Sequence, residues 1–132
     1  MDVILSIKPK YVQSIIKGDK RYEFRKSIFK NRTIDRVFIY SSAPVKRIVA
    51  LFEIGTILED HPAVLWNTVR EYAGIEAREF FSYFAGKSRG YAIGIKNVQE
   101  FDVPIDPRAT IPGFVPPQSY CYLNGETCIT PQ

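Results

Sequence analysis

Glu23 stands between two arginines, Arg21 and Arg25, three residues past Lys20, in the run Gly18-Asp19-Lys20-Arg21-Tyr22-Glu23-Phe24-Arg25. Two kinds of chemistry suit such a cluster. A lysine close to Lys17, Arg21 and Arg25 feels repulsion that lowers its pKa, and burial would lower it further. A partly neutral amine can act as a general base or nucleophile; a charged one contacts a phosphate. Glu23 can pair with Arg25 and orient its guanidinium fork, or accept hydrogen bonds from a base amino group. In an ideal strand Lys20, Tyr22 and Phe24 point one way and Arg21, Glu23 and Arg25 the other. A direct Lys20–Glu23 pair then requires a turn or bulge at Arg21-Tyr22 and is not assumed.

Further candidates lie along the chain. Tyr22, Phe24 and Tyr40 offer aromatic faces for an unstacked base, or core filling. Ser41 and Ser42 end a strand where hydroxyls can meet a phosphate or base. Lys87-Ser88-Arg89 adds two cations after a helix. Gln118-Ser119-Tyr120 follows Pro116-Pro117; a glutamine amide donates and accepts, which suits a base edge, while a structural strap is the alternative. One histidine, His61, and two late cysteines give neither a zinc set of usual spacing nor a Ser-His-Asp triad, and there is no glycine-rich phosphate loop. No cofactor and no metal are expected. His61, beside Pro62, reads as a helix start.

The elements that must hold these groups follow from patterning. Asp2 to Lys8 reads as a buried strand. Pro9 opens a helix to Lys17 with Tyr11, Val12, Ile15 and Ile16 on one stripe, and Gly18 stops it. The signature forms a second strand, Arg36–Ser42 a third and Val45–Leu58 a longer one, with Gly55 a candidate bulge. Pro62 opens a second helix that ends at Gly74; Glu76–Ala85 is a third, stopped by Gly86. Tyr91–Ile95 and Val98–Val103 return to strand. Segment 104–132 is rich in Pro and Gly, yet Phe114, Tyr120, Tyr122 and Leu123 argue that it packs on the rest. Strands bracketing adjacent helices, without regular alternation, define an α+β class, best satisfied by a small closed or nearly closed β-barrel with about three flanking helices. The expected organisation is one domain over 1–132.

The pattern Gly18-x-Lys20-x-x-Glu23-x-Arg25 resembles the G-x-K-x-x-E-x-R signature of ASCH domains, a branch of the PUA-like β-barrels associated with RNA. The preceding strand and Pro-started helix fit that family's order. Ile39-Tyr40-Ser41-Ser42-Ala43-Pro44, Gly90-Tyr91-Ala92-Ile93 and Pro116-Pro117-Gln118-Ser119-Tyr120 also resemble family segments, so the likeness runs from about Val3 to Leu123. It implies a barrel capped by helices and a ligand held at its cleft. Two functions follow. One is a module that binds RNA or a modified nucleobase. The other is a small metal-independent enzyme, a ribonuclease or an amidohydrolase of acetylated cytidine, with Lys20 and Glu23 catalytic. The family's amidohydrolases use a threonine where this chain has Glu23, and a carboxylate does not replace that hydroxyl.

Charge favours a polyanion partner. Residues 1–47 hold twelve Lys/Arg against four Asp/Glu, a balance of +8, whereas residues 48–132 hold six against ten. No apolar run approaches membrane-span length and no leader precedes the first strand. Two cysteines, Cys121 and Cys128, fit free thiols in a reducing cytoplasm better than a disulfide framework. The expectation is a cytoplasmic monomer or weak homodimer that meets RNA and not membrane.

Overall fold

The computed structural model describes residues 2–31, 33–118, 120–124 and 127–129, with 124 and 127–129 described by backbone alone. Seven strands form one mixed sheet: β1 (Asp2–Ile7), β2 (Tyr22–Arg25), β3 (Arg36–Ser41), β4 (Arg47–Asp60), β5 (Gly90–Ile105), β6 (Tyr120–Asn124) and β7 (Thr127–Ile129). They are hydrogen-bonded in the order β2-β5-β4-β3-β1-β6-β7. The α+β class is thus the observed one. The ladder is open, ending at β2 and β7, where the sequence reading allowed a closed barrel.

β1 is parallel to β3 and antiparallel to β6, with Ser6 opposite Tyr40 and Leu5 opposite Tyr120. A strand paired on both edges and covered on both faces needs apolar residues at successive positions, which Val3-Ile4-Leu5 supply. Val3, Leu5 and Ile7 pack into the main core, and Ile4 joins Tyr40, Ile48 and Cys121 on the other face. The long strands β4 and β5 pair along most of their length with three register shifts, one between Ile54 and Ile57. Gly55 lies in that shift, as its expected bulge requires. A Cβ on the facing Gly94 would meet the Thr56 carbonyl oxygen at 2.9 Å. The two strands expected after Ser88 are one, β5, which absorbs Asn97 at φ 52°.

Helix α1 (Pro9–Lys17) has the expected bounds, and Gly18 ends it at φ 87°. Helices α2 (Pro62–Val69) and α3 (Ala77–Tyr83) are joined through a 3-10 turn, Arg70–Tyr72. His61 caps α2: its Nδ1 accepts the Ala63 amide at 3.1 Å. A fourth helix, α4 (Pro107–Thr110), was not foreseen; its cap, Asp106, accepts the Arg108 amide at 3.0 Å. Within the C-terminal segment, β6 extends the sheet beside β1. Cys121 is disulfide-bonded, which corrects the free thiol expected there; the side chain of Cys128 lies outside the described residues.

Candidate functional site

A second core, under α2 and α3, fixes the strand that carries the signature. Phe24 of β2 meets the fully buried Phe80 of α3 edge-on, 5.0 Å between ring centres, and Phe84 at 6.3 Å. β2 is held on its other side by β5, with Glu23 opposite Ile93 and Arg25 opposite Tyr91. Pinned this way, β2 forms one wall of a cavity of about 170 Å³. At ~30 Å³ per water that is room for roughly five waters, or one small planar or tetrahedral group.

Lys20, Glu23, Phe24 and Arg25 all line this cavity. The alternation rule does not govern Lys20, because it precedes the strand. The chain leaves Gly18 in a tight turn in which the Asp19 and Lys20 amides both donate to the Ser14 carbonyl. The Arg21 amide then donates to the Tyr72 carbonyl at 2.8 Å, so the α2–α3 connection docks on the turn. That turn lies before Lys20 and not at Arg21-Tyr22, where a direct Lys20–Glu23 pair would need it; the two side chains share the cavity, with Lys20 over the Phe24 ring.

Lys20 is 2% exposed. Its Nζ donates to the Ala73 carbonyl at 2.9 Å and lies 4.4 Å from the centre of the Phe24 ring and 5.3 Å from that of Tyr11. Burial lowers its pKa to about 8, against the pull of Glu23 and Glu79, which favour the ammonium. The neighbouring cations invoked from sequence are not the cause. Glu23, 6% exposed, has its pKa raised by burial, opposed by Arg25 and Lys20. The expected Glu23–Arg25 pair is present, Arg25 Nη1 donating to Oε2 at 3.3 Å. Gly74 permits the closure over Lys20. It sits at φ 68°, and a Cβ there would lie 2.4 Å from the Lys20 Cβ.

Seven lining residues escaped the sequence reading as site residues, among them Lys8, Tyr11, Glu79 and Tyr83. Glu79 of α3 accepts hydrogen bonds from the Tyr11 hydroxyl and from Lys10 Nζ, tying α3 to α1 across the rim. These bonds hold the Glu79 carboxyl below its ordinary range, that of Tyr11 first. Tyr11 was assigned to the helix stripe, and nothing in the sequence brings α3 to it. Burial raises the Tyr83 hydroxyl pKa.

Other candidates lie elsewhere. Tyr40 lines a second cavity, of about 490 Å³, with the exposed cations Lys46 and Arg108 and with Phe114 and Pro116. The two cavities are neighbours: Ser6 lines the first, pairs in register with Tyr40, and donates its hydroxyl to the Pro117 carbonyl at 2.8 Å. Lys46, just before β4, and Arg108, in the one-turn helix α4, were missed because single cations carry no local signal. Ser41 is buried at the end of β3, and the Ser42 amide donates to the Ile7 carbonyl. Tyr22 packs beneath α2 and α3. Lys87, Ser88 and Arg89 are exposed just before the stretch of β5 that pairs with Arg25, outside both cavities. Gln118 is exposed, and Ser119 lies outside the described residues.

Comparison with known proteins agrees with this architecture. The ASCH domain model matches residues 5–105, and the chain belongs to that family. It is 26% identical over 127 residues to an ASCH domain-containing ribonuclease of Zymomonas mobilis, covering 95% of this chain and 86% of that protein. The crystal structure of ASCH from Zymomonas mobilis superposes with a TM-score of 0.88 at 26% identity, covering 95% and 89% of the two chains. Large ribosomal subunit protein uL22 of Ureaplasma parvum is 24% identical over 105 residues, 79% of this chain but 33% of that protein. Among the described residues no helix is long and apolar enough to cross a membrane.

Proposed function

We propose that this ASCH chain acts on RNA, working as a single domain, and that it is a ribonuclease whose chemistry is carried by its own side chains at the Lys20–Glu23 cavity. One observation carries the reading: a buried amine and a buried carboxyl share one cavity, with pKa values displaced toward each other. At neutral pH a lysine with a pKa of about 8 is mostly protonated. Lys20 therefore serves as cation and proton donor, and not as the base that sequence suggested. Glu23, whose burial-raised pKa is opposed by Arg25 and Lys20, is the base.

The step runs as follows. The Glu23 carboxylate takes the proton of a ribose 2′-hydroxyl as that oxygen bonds to the adjacent phosphorus. The bond from phosphorus to the 5′-oxygen breaks, and the Lys20 ammonium protonates the leaving oxygen. Arg25 neutralises the charge that builds on the phosphoryl oxygens. The products are a 2′,3′-cyclic phosphate and a 5′-hydroxyl; solvent returns a proton to Lys20 and removes one from Glu23. The likeness to a protein named as a ribonuclease and the basic N-terminal third support an RNA substrate.

Incubating single-stranded RNA with the protein and a chelator should yield cyclic phosphate ends, and a 2′-deoxy residue at the cleaved position should block the cut. A binding module is the second reading, favoured by the Ala73 carbonyl and the two rings that already satisfy the Lys20 ammonium. Intact RNA from about pH 5 to about 9, together with RNA affinity abolished by Glu23→Gln, would decide for binding alone.

A further inference from the structure

The strand that walls the cavity carries a cation on a tyrosine ring at each end. Before β2, the Arg21 guanidinium lies 4.2 Å from the centre of the Tyr72 ring. After β2, Lys26 Nζ lies 4.7 Å from the centre of the Tyr83 ring. Each partner is tied to the cavity. Tyr83 lines it; Lys26 adjoins Arg25, Arg21 adjoins Lys20, and Tyr72 precedes Ala73, whose carbonyl accepts from Lys20. Both rings keep part of their surface in water, Tyr72 being 40% and Tyr83 38% exposed, while Tyr83 also meets the core ring of Phe84 edge-on at 4.8 Å. Both cations are exposed as well.

A part-exposed tyrosine beside a cation is the pairing that single-stranded nucleic acid uses: the ring stacks a base and the cation meets the adjoining phosphate. A four-residue strand spans roughly 13 Å at ~3.3 Å per residue, about two steps of an extended strand of RNA. We propose that Tyr72–Arg21 and Tyr83–Lys26 are the two flanking subsites of the cavity, stacking the bases on either side of the nucleotide it receives, so that the ligand is single-stranded RNA of at least three nucleotides. The proposal rests on the RNA reading above, but not on cleavage. Duplex RNA is excluded because its bases are already stacked and its major groove admits no side chains.

The test is binding of oligoribonucleotides carrying 2′-O-methyl riboses, which lack the attacking hydroxyl, so that a failure of the cleavage chemistry does not touch the result. Affinity should climb steeply from one to three nucleotides and slowly beyond. Tyr72→Ala and Tyr83→Ala should each weaken a five-nucleotide strand roughly tenfold, whereas Tyr72→Phe and Tyr83→Phe keep the affinity because stacking needs the ring and not the hydroxyl. Arg21→Gln and Lys26→Gln should each reduce the salt slope of binding by about one. If an alanine variant fails to fold, ring proton NMR on the native protein takes its place: titrating the strand should move the Tyr72 and Tyr83 ring resonances upfield. Unmoved rings, alanine variants that are folded and bind as tightly as the native chain, or duplex bound as tightly as single strand would overturn the proposal.

Discussion

Lys20 lines the floor of the cavity and Lys10 pairs with Glu79 at its rim, and the two lysine pKa values move in opposite directions. At the rim, Lys10 is open to water and its hydrogen bond to Glu79 raises its pKa. On the floor, Lys20 feels Glu23 and the same Glu79, yet its pKa falls to about 8. The carboxyls mirror this, Glu79 shifted down and Glu23 up. Opposite charges act at both levels, so charge does not separate them. Loss of water does. On the floor the cost of stripping hydration from an ion exceeds what nearby partners return, while at the rim solvent covers that cost. An ion pair at the rim therefore ties helices together, while on the floor burial moves the two pKa values toward each other, as the proposed proton exchange requires.

The largest effect expected of this difference is on turnover. Glu23→Gln or Lys20→Arg should lower RNA cleavage by roughly two orders of magnitude or more, since guanidinium does not release its proton and an amide is no base. Single-turnover assays on labelled RNA measure this, and equal loss in Glu79→Gln would erase the distinction between floor and rim. Cleavage should also fall as pH rises through about 8, where Lys20 loses its proton. A profile still climbing at pH 9 would remove Lys20 as the acid.

Next in size is the cost of crowding the floor. Gly74→Ala sets a Cβ against Lys20 and forces a left-handed backbone on alanine, so a loss of roughly 2–4 kcal/mol is expected in chemical denaturation. A variant as stable as the native chain would show that the α2–α3 connection is not clamped on Lys20.

Stability against pH follows from the sign of the shift. Because the folded Lys20 pKa lies below the ordinary lysine value of 10.5, the unfolded chain binds more protons between about 8 and 10.5. Stability therefore includes a contribution that rises with pH across that window, about 3 kcal/mol at most. Lys20→Met should lack it, and thermal melts of both proteins across the window measure the difference. Glu23 acts in reverse: its raised pKa makes a contribution that falls as pH climbs above the ordinary carboxylate range. Glu79→Gln at the rim should give the smallest change in melting midpoint, shrinking further as salt is added.

Several features were legible along the chain because their causes are local. Pro9, the apolar stripe and Gly18 define α1 to the residue, and His61 before Pro62 marks the start of α2. The Glu23–Arg25 pair follows from strand alternation. What misled was applying that alternation to Lys20, which precedes the strand. The fourth helix was hidden because a single turn, Pro107–Thr110, has too few residues to show a period. Tyr11, Glu79 and Tyr83 were invisible as site residues since α1 and α3 lie more than sixty positions apart and meet only through the fold.

The sequence by itself determined the α+β class, the family and the chemical groups of the signature, since periodicity, capping and side-chain identity are carried by neighbouring residues. Tertiary structure alone decided how those groups behave. Helices α2 and α3 shield Lys20 and Glu23 from water, and the pKa of an ionisable group depends on the solvent it loses. That loss is fixed largely by residues distant in the chain, which is why the lowered pKa of Lys20 is explained only by Ala73 and Gly74 closing over it.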